Sequence, residues 1–286
     1  SQTGEYLPSP PRRGRQGWDS TLGYPGEGPL HMLGLNVNGL NVAQDMHRLL
    51  KQAIEHRLDI IFLQEHRLKG PKIRDFVGTL ARKGWTAVMS SADERGVGGT
   101  AILIREDAVS KVEVKVDRQL GDSLACSLGG RVCAVDVSVA DWNARLVSVY
   151  VPAKAGERGE FLTKLKNSKI INNKTICEGD WNYVTDLTTD VQHLDQNTVP
   201  SPYAHANGFE SFLLASGLED TFRLINGKDY RDYTRRGNTV WTRLDRFYSP
   251  KYNSPFRWTK VETDPLFYRG HDNASDHLAI KATVEW

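Results

Sequence analysis

Asp59-Ile60-Ile61-Phe62-Leu63-Gln64-Glu65 is the stretch on which the fold turns. Its apolar run is long enough for a strand buried on both faces and too short for a helix, and it stops on an amide and a carboxylate. Ahead of it Met46, Leu49, Leu50, Ala53 and Ile54 recur at helical spacing, so a helix leads into this strand. Further strands are predicted at Ala101 to Ile104, Val132 to Val137, Arg145 to Val151, Lys174 to Cys177, Arg243 to Tyr248 and Leu278 to Trp286. In the last of these Leu278, Ile280, Ala282, Val284 and Trp286 alternate with Ala279, Lys281, Thr283 and Glu285, which makes one face apolar. Leu124 to Leu128 and Arg131 to Val135 flank Gly129-Gly130, a hairpin signal that sets Cys126 opposite Cys133 without implying a disulfide. A second helix runs from Gly208 to Ala215 and ends at Gly217, whereas 187–207 is polar, aperiodic and reads as a loop. Helices mixed with hairpins exclude a plainly alternating parallel sheet, so the fold class is α+β, with two mostly antiparallel sheets flanked by helices.

The 286 residues, 39% hydrophobic and 25% charged, describe a globular chain able to bury a core, not a disordered one. No apolar run approaches the eighteen or so residues of a membrane span, so an integral membrane protein is not expected. Cys126, Cys133 and Cys177 form no C-x-x-C pair and read as reduced thiols of an intracellular protein. Lys and Arg number 37 against 35 acids, a net +2, so any grip on nucleic acid must come from local charge. Residues 1–29 carry Pro8, Pro10, Pro11, Pro25 and Pro29 among glycines and read as a flexible tail, with Arg12, Arg13 and Arg15 the only hint of a binding arm. Its lack of an apolar leader and its start at Ser1 suggest a processed product or an excerpt. From 30 to 286 there is neither a second linker nor a repeat, and a single domain is expected.

Five segments place polar groups at predicted strand ends: Asn36-Val37-Asn38-Gly39, Leu63-Gln64-Glu65, Gly179-Asp180-Trp181-Asn182, Arg243-Leu244-Asp245 and Ser275-Asp276-His277. Taken singly each has an ordinary reading: a turn dipeptide, a solvated loop acid, an Asx turn, a charge-paired strand residue, a capping loop. As a set they match one chemistry. Glu65 and Asp276 are hard oxygen donors suited to Mg²⁺. Asp180 is placed to take a proton from water, Asn182 to bond a phosphate oxygen, and Asp245 to hold His277 as an imidazolium against developing negative charge. Such a set hydrolyses phosphate esters. Gly96-Val97-Gly98-Gly99 lacks the Gly-Lys-Ser/Thr ending of a P-loop and reads as a tight strand entry.

In this order and at these intervals the segments resemble the endonuclease/exonuclease/phosphatase superfamily, and within it the apurinic-type endonuclease domain of LINE-type (non-LTR) retrotransposons. The likeness runs from Leu33 to about Ala282 and is carried also by Gly98 to Ile104, Gly217 to Arg223 and Arg243 to Tyr248. It implies a four-layer α/β/β/α sandwich, a monomer, and Mg²⁺-dependent nicking of one strand of double-stranded DNA, Mn²⁺ being the substitute ion. It further implies a 3′-hydroxyl that primes target-primed reverse transcription, a reverse transcriptase following in the parent polyprotein, and action in the nucleus. Carried over residue by residue, Glu65 with Asp276 binds the metal and Asn38 lies near metal and phosphate. Asn36 orients the catalytic carboxylate, Tyr150 touches the phosphate, Asp180 activates the water and Asn182 steadies the transition state. Asp245 orients His277, which stabilises the scissile phosphate.

Three departures refine this expectation. Asn38 stands where repair enzymes usually carry Asp, which favours the retroelement branch. Thr242 replaces the aromatic pocket residue of repair members, so an abasic pocket is not expected. Ala153 follows Tyr150-Val151-Pro152 where the family usually has Asn, and Lys154 is the candidate replacement contact. Between Asp232 and Asp245 the family inserts a hairpin into the minor groove. Here residues 231–246 hold Arg231, Arg235, Arg236, Arg243 and Arg246 against two acids, a local +3, with Arg235, Arg236 and Asn238 at the tip as DNA contacts. Two other readings stay open: a phosphoesterase of the same fold acting on an inositol phosphate, abasic DNA or poly(A), and a catalytically silent DNA-binding module, for which Ala153 is the motive.

Overall fold

The computed structural model describes residues 29–40, 43–106, 112–115, 128–139, 142–195, 207–254, 256–268 and 275–285. The tail at 1–28, Cys126 with the strand predicted before Gly129, residues 196–206 and Trp286 lie outside the described residues.

Along the chain the elements are β1 (Leu30–Asn36), α1 (Ala43–Glu55), β2 (Ile60–Gln64), α2 (Pro71–Arg82), β3 (Trp85–Met89), β4 (Thr100–Arg105) and β5 (Val112–Lys115). A single 3-10 turn at Gly129–Arg131 opens β6 (Val132–Val139), followed by β7 (Trp142–Tyr150), α3 (Ala155–Ser168), β8 (Thr175–Asp180) and β9 (Val191–His193). Then come α4 (Asn207–Ala215), β10 (Leu218–Asp220), α5 (Thr221–Asn226), β11 (Arg235–Arg236), β12 (Val240–Thr242), β13 (Asp245–Pro250), β14 (Arg257–Asp264) and β15 (Ala279–Glu285).

The first six-stranded sheet runs β14-β15-β1-β2-β4-β3 and the second β10-β13-β8-β7-β6-β5. Among the described residues only β1 with β2 and β7 with β8 pair in parallel, and in both cases a helix makes the crossover that parallel neighbours require. All other pairs within the two sheets are antiparallel. Period-two alternation sorts the side chains of β2: Ile60 and Phe62 enter the layer between the sheets, while Ile61 and Leu63 face the other way, against Leu49, Leu50 and Leu80 of α1 and α2. On the second sheet Val147 and Val149 pack outward on Phe161, Leu165 and Phe209 of α3 and α4. The result is the expected four-layer sandwich. Phe62 and Phe247 meet edge to face across its centre, ring centroids 5.6 Å apart.

Two features differ from the sequence expectations. The polar stretch after Leu187 is not all loop: Val191–His193 forms β9, which pairs with β12 in a small third sheet, β11-β12-β9. Helices α2 and α3 were not anticipated, the latter because Gly156 and Gly159 dilute an apolar face of only Phe161, Leu162 and Leu165. Among the described residues no helix is long and apolar enough to cross a membrane.

Candidate active site

Three neighbouring strands of the second sheet end at one level: Tyr150 of β7 and Asp245 of β13 lie on either side of Asp180 of β8, in register with it. The first sheet brings Asn36 at the end of β1, Glu65 just past β2 and His277 just before β15 to the facing edge. The site is therefore a seam, half from each sheet.

Short polar contacts close the seam. Asn36 Nδ2 donates to Asp180 Oδ2 at 3.0 Å, and Asn36 Oδ1 accepts the Asn38 amide at 3.0 Å. His277 Nδ1 lies 2.7 Å from Asp245 Oδ2, and its Nε2 lies 3.6 Å from Asp180 Oδ2. Asn182 turns back through a left-handed backbone, φ 48°, so that its amide meets Asp180 Oδ1 at 3.2 Å and its side chain donates to Val151 O at 2.7 Å. Asn38 and Glu65 share that unusual backbone, φ 49° and 56°, which for non-glycine residues is strain held in place by surrounding bonds such as Gly39 N to Glu65 O at 2.7 Å. The Tyr150 hydroxyl bonds Glu65, and Arg131 covers its ring at 4.9 Å.

Burial and the neighbouring Asp245 push the Asp180 carboxyl up, to about 7, while His277 and the bonds from Asn36 and Asn182 hold it down. His277 is deeply buried, which alone would favour the neutral ring, yet Asp245 and Asp180 overcome that and raise it to about 10. At neutral pH the imidazole is a cation sandwiched by two acids, one of which titrates near neutrality. That is the arrangement of a proton acceptor beside an anion stabiliser.

Asp180, Asp245 and His277 are the described group whose ligand atoms all lie within 4.8 Å, and His277 is ion-paired with both acids. Oxygen donors for a divalent ion stand beside them. Arg67 Nη2 donates to Asn38 Oδ1 and lies 3.8 Å from Glu65 Oε1, so these two oxygens face one cation-sized position, and a hard-oxygen pair suits Mg²⁺ or Mn²⁺. Asp276 accepts from Arg235 Nε at 2.7 Å through its Oδ2, and its Oδ1 lies 3.8 Å from His277 Nε2.

The expected DNA contacts divide. Asn238 and Arg236 are exposed on the β11–β12 hairpin, with Arg236 3.8 Å from Asp232 and its guanidinium 5.0 Å over the Trp241 ring. Arg235 bridges His277 through its backbone. Thr242 is fully buried and cannot meet a groove, a correction that follows from its inward position on β12. The +3 of the hairpin is also corrected, because Arg243 and Arg246 are wholly interior. Arg243 pairs with Asp190 at 2.7 Å and Asp220 at 2.6 Å, and Arg246 donates to Arg243 O at 2.8 Å. Lys154 precedes α3 and is exposed, with Glu157 at 3.4 Å as its partner.

The sequence reading passed over the floor of the seam. Gln64 Nε2 donates to Glu178 Oε2 at 2.7 Å and Ser148 Oγ at 3.0 Å, tying β2 to β8 and β7 beneath Asp180 and Asp245. Glu178 is fully buried, and its carboxyl is pushed well up by burial and by Asp245. An acid two residues before Asp180 in an otherwise apolar strand was the available signal.

Residues 33–277 match the model of the endonuclease/exonuclease/phosphatase family. The chain belongs to that family. Its members are hydrolases of phosphate esters, and an enzyme of that kind is what the seam describes. Solved structures share the fold. The endonuclease domain of TRAS1, a telomere-specific non-LTR retrotransposon, is 16% identical with TM-score 0.60, over 90% of this chain and 99% of that one. An AP endonuclease from Archaeoglobus fulgidus is 21% identical with TM-score 0.64, over 88% and 98%. The 3′ phosphatase NExo from Neisseria, bound to a product DNA hairpin, is 20% identical with TM-score 0.63, over 90% and 100%.

Proposed function

We propose that this family member is a divalent-metal-dependent endonuclease that nicks one strand of duplex DNA and leaves a 3′-hydroxyl, the primer for a reverse transcriptase encoded in the same polyprotein and acting in the nucleus. One observation carries the reading: Asn36, Asp180, Asp245 and His277 converge from both sheets into one hydrogen-bonded group beside the Asn38–Glu65 oxygens.

A divalent ion held by Glu65 and Asn38 would neutralise charge on the phosphate. Asp180, oriented by Asn36 and by the Asn182 amide, accepts the proton of the attacking water. His277, kept cationic by Asp245, faces the non-bridging oxygens as charge builds. Tyr150, whose proton burial and the neighbouring acids keep firmly in place, would turn its hydroxyl from Glu65 to donate to the phosphate.

Supercoiled plasmid with Mg²⁺ tests the proposal. The native chain is expected to yield open circles whose nicks a DNA polymerase extends directly, with His277→Ala and Asp180→Asn each slowing nicking by about a hundredfold or more. Binding of duplex without nicking would favour the silent module instead, and ends that must be trimmed before extension would remove the priming role.

A further inference from the structure

The hairpin was expected to supply the positive charge that grips DNA, and the fold takes most of it away. Arg243 and Arg246 are interior, Arg235 is engaged by Asp276, and Arg236 stands beside Asp232 and over Trp241. A chain of net charge +2 that handles a polyanion needs its cations elsewhere near the cleft. We infer that the segment Arg67-Leu68-Lys69-Gly70-Pro71-Lys72-Ile73-Arg74 is a second phosphate-binding rim, which holds the backbone of the duplex on the Glu65 side of the cut. The inference rests on the DNA substrate proposed above and names how that substrate lies.

Place, charge and cost support it. The segment begins two residues after Glu65, and Arg67 touches Asn38. From there contacts run without a break through Asn38, Asn36, Asp180, His277 and Asp276 to Arg235. The catalytic groups thus lie between the rim at one end and the hairpin at the other. The segment contains Arg67, Lys69, Lys72 and Arg74, and no acid. All four are exposed, while Leu68 is buried and Ile73 half-buried, so the apolar positions anchor the segment at the surface, with the Arg67 guanidinium turned to Asn38 and Glu65. Lys69 donates to a carbonyl, Glu94 O at 2.6 Å, which fixes its ammonium at the surface and leaves the charge unspent. Cations also sit in the first turn of α2, where the helix dipole disfavours them, with no acid in that turn and no side-chain cap from Gly70. A solvated helix face chosen for stability would carry acids there.

Neither Lys69 nor Lys72 belongs to the catalytic machinery, so the Lys69→Gln/Lys72→Gln double variant isolates the rim. Its affinity for a 20-base-pair duplex is measured in EDTA, where nothing is cut, against salt from about 0.05 to 0.3 M. Each phosphate contact contributes about 0.9 to the slope of log K against log salt, so the double variant is expected to lose about 1.8 of slope and roughly tenfold in affinity per contact near 0.1 M. KM for plasmid nicking rises in step while kcat holds. Lys164→Gln/Lys166→Gln, two exposed lysines of α3, removes the same two charges, is the control for total charge and leaves the slope unchanged. A slope equal to the native one in the double variant, or equal losses in the control, overturns the rim and leaves the nuclease reading standing. A native chain that neither binds nor nicks duplex overturns both.

Discussion

Gly34 of β1 faces Glu178 across the inter-sheet layer so closely that a methyl group there has no room. A Cβ at position 34 would lie 2.0 Å from Glu178 Cδ, 2.1 Å from Oε1 and 2.4 Å from Cγ. Ordinary contact would need a separation larger by about 1.5 Å, and Glu178 cannot simply swing away because Gln64 holds it and the layer is closed. Overpacking of this kind costs about 1–3 kcal/mol, and loss of the Gln64 bond adds about 1 kcal/mol. Gly34→Ala is therefore expected to destabilise by about 3 kcal/mol, although β1 has ordinary extended geometry that alanine tolerates. Glu178→Ala removes the obstacle at the cost of a small void and an under-used Gln64, about 2 kcal/mol. The double variant should be no less stable than Glu178→Ala alone, a coupling of about 3 kcal/mol. Urea unfolding of the four proteins at pH 7, with equal m values, measures it. Additive losses within about 0.5 kcal/mol would refute the steric account of the floor.

Three further outcomes follow from the buried titrating groups. With Asp180 required as carboxylate and His277 as imidazolium, kcat/KM for nicking should rise with pH through about 7 and fall through about 10, and Asp245→Asn should bring the alkaline limb down; a flat profile from pH 6 to 9 argues against these roles. Glu178 is raised above its unfolded value near 4.5, so the stability it permits is full below that value and declines as pH rises; Glu178→Gln, already neutral, should equal the native chain at pH 4 and exceed it increasingly toward pH 8 by chemical denaturation. His66, enclosed against Gly99 and pushed by burial down to about 4, has the opposite sign: its contribution is complete above 6.5 and fades toward pH 4, roughly 3 kcal/mol in all, an acid slope that His66→Asn should lack.

The architecture was largely legible because strands buried between layers leave unbroken apolar runs, and Ile60 to Leu63 could hardly be anything else. The meeting of Asn36, Asp180, Asp245 and His277 was legible for a related reason: each stands where such a run stops or starts, and the ends of neighbouring strands lie at one level. What escaped depended on partners distant in sequence. A charge count cannot tell that Arg243 lies inside, because its neutralising acids, Asp190 and Asp220, belong to other segments. Nor does the sequence reveal that Asp276 is bonded to Arg235, forty-one positions away. Strand β9 has only three residues in a polar stretch, and its pairing with β12, not its composition, makes it a strand. Glu178 was overlooked because its meaning lies in Gly34, an absent side chain on another sheet.

Because neither sheet holds a complete set of reacting groups, activity depends on a spacing that ordinary side-chain packing maintains. Small losses of volume at Phe62, Phe247 or Ile102 should let the two layers settle toward each other and out of register while both sheets remain folded. A genetic screen for cutting-deficient mutants would then return interior aromatic and aliphatic positions alongside the acids and the imidazole, and such alleles should be recoverable by growth in the cold or by second-site enlargements in the facing sheet.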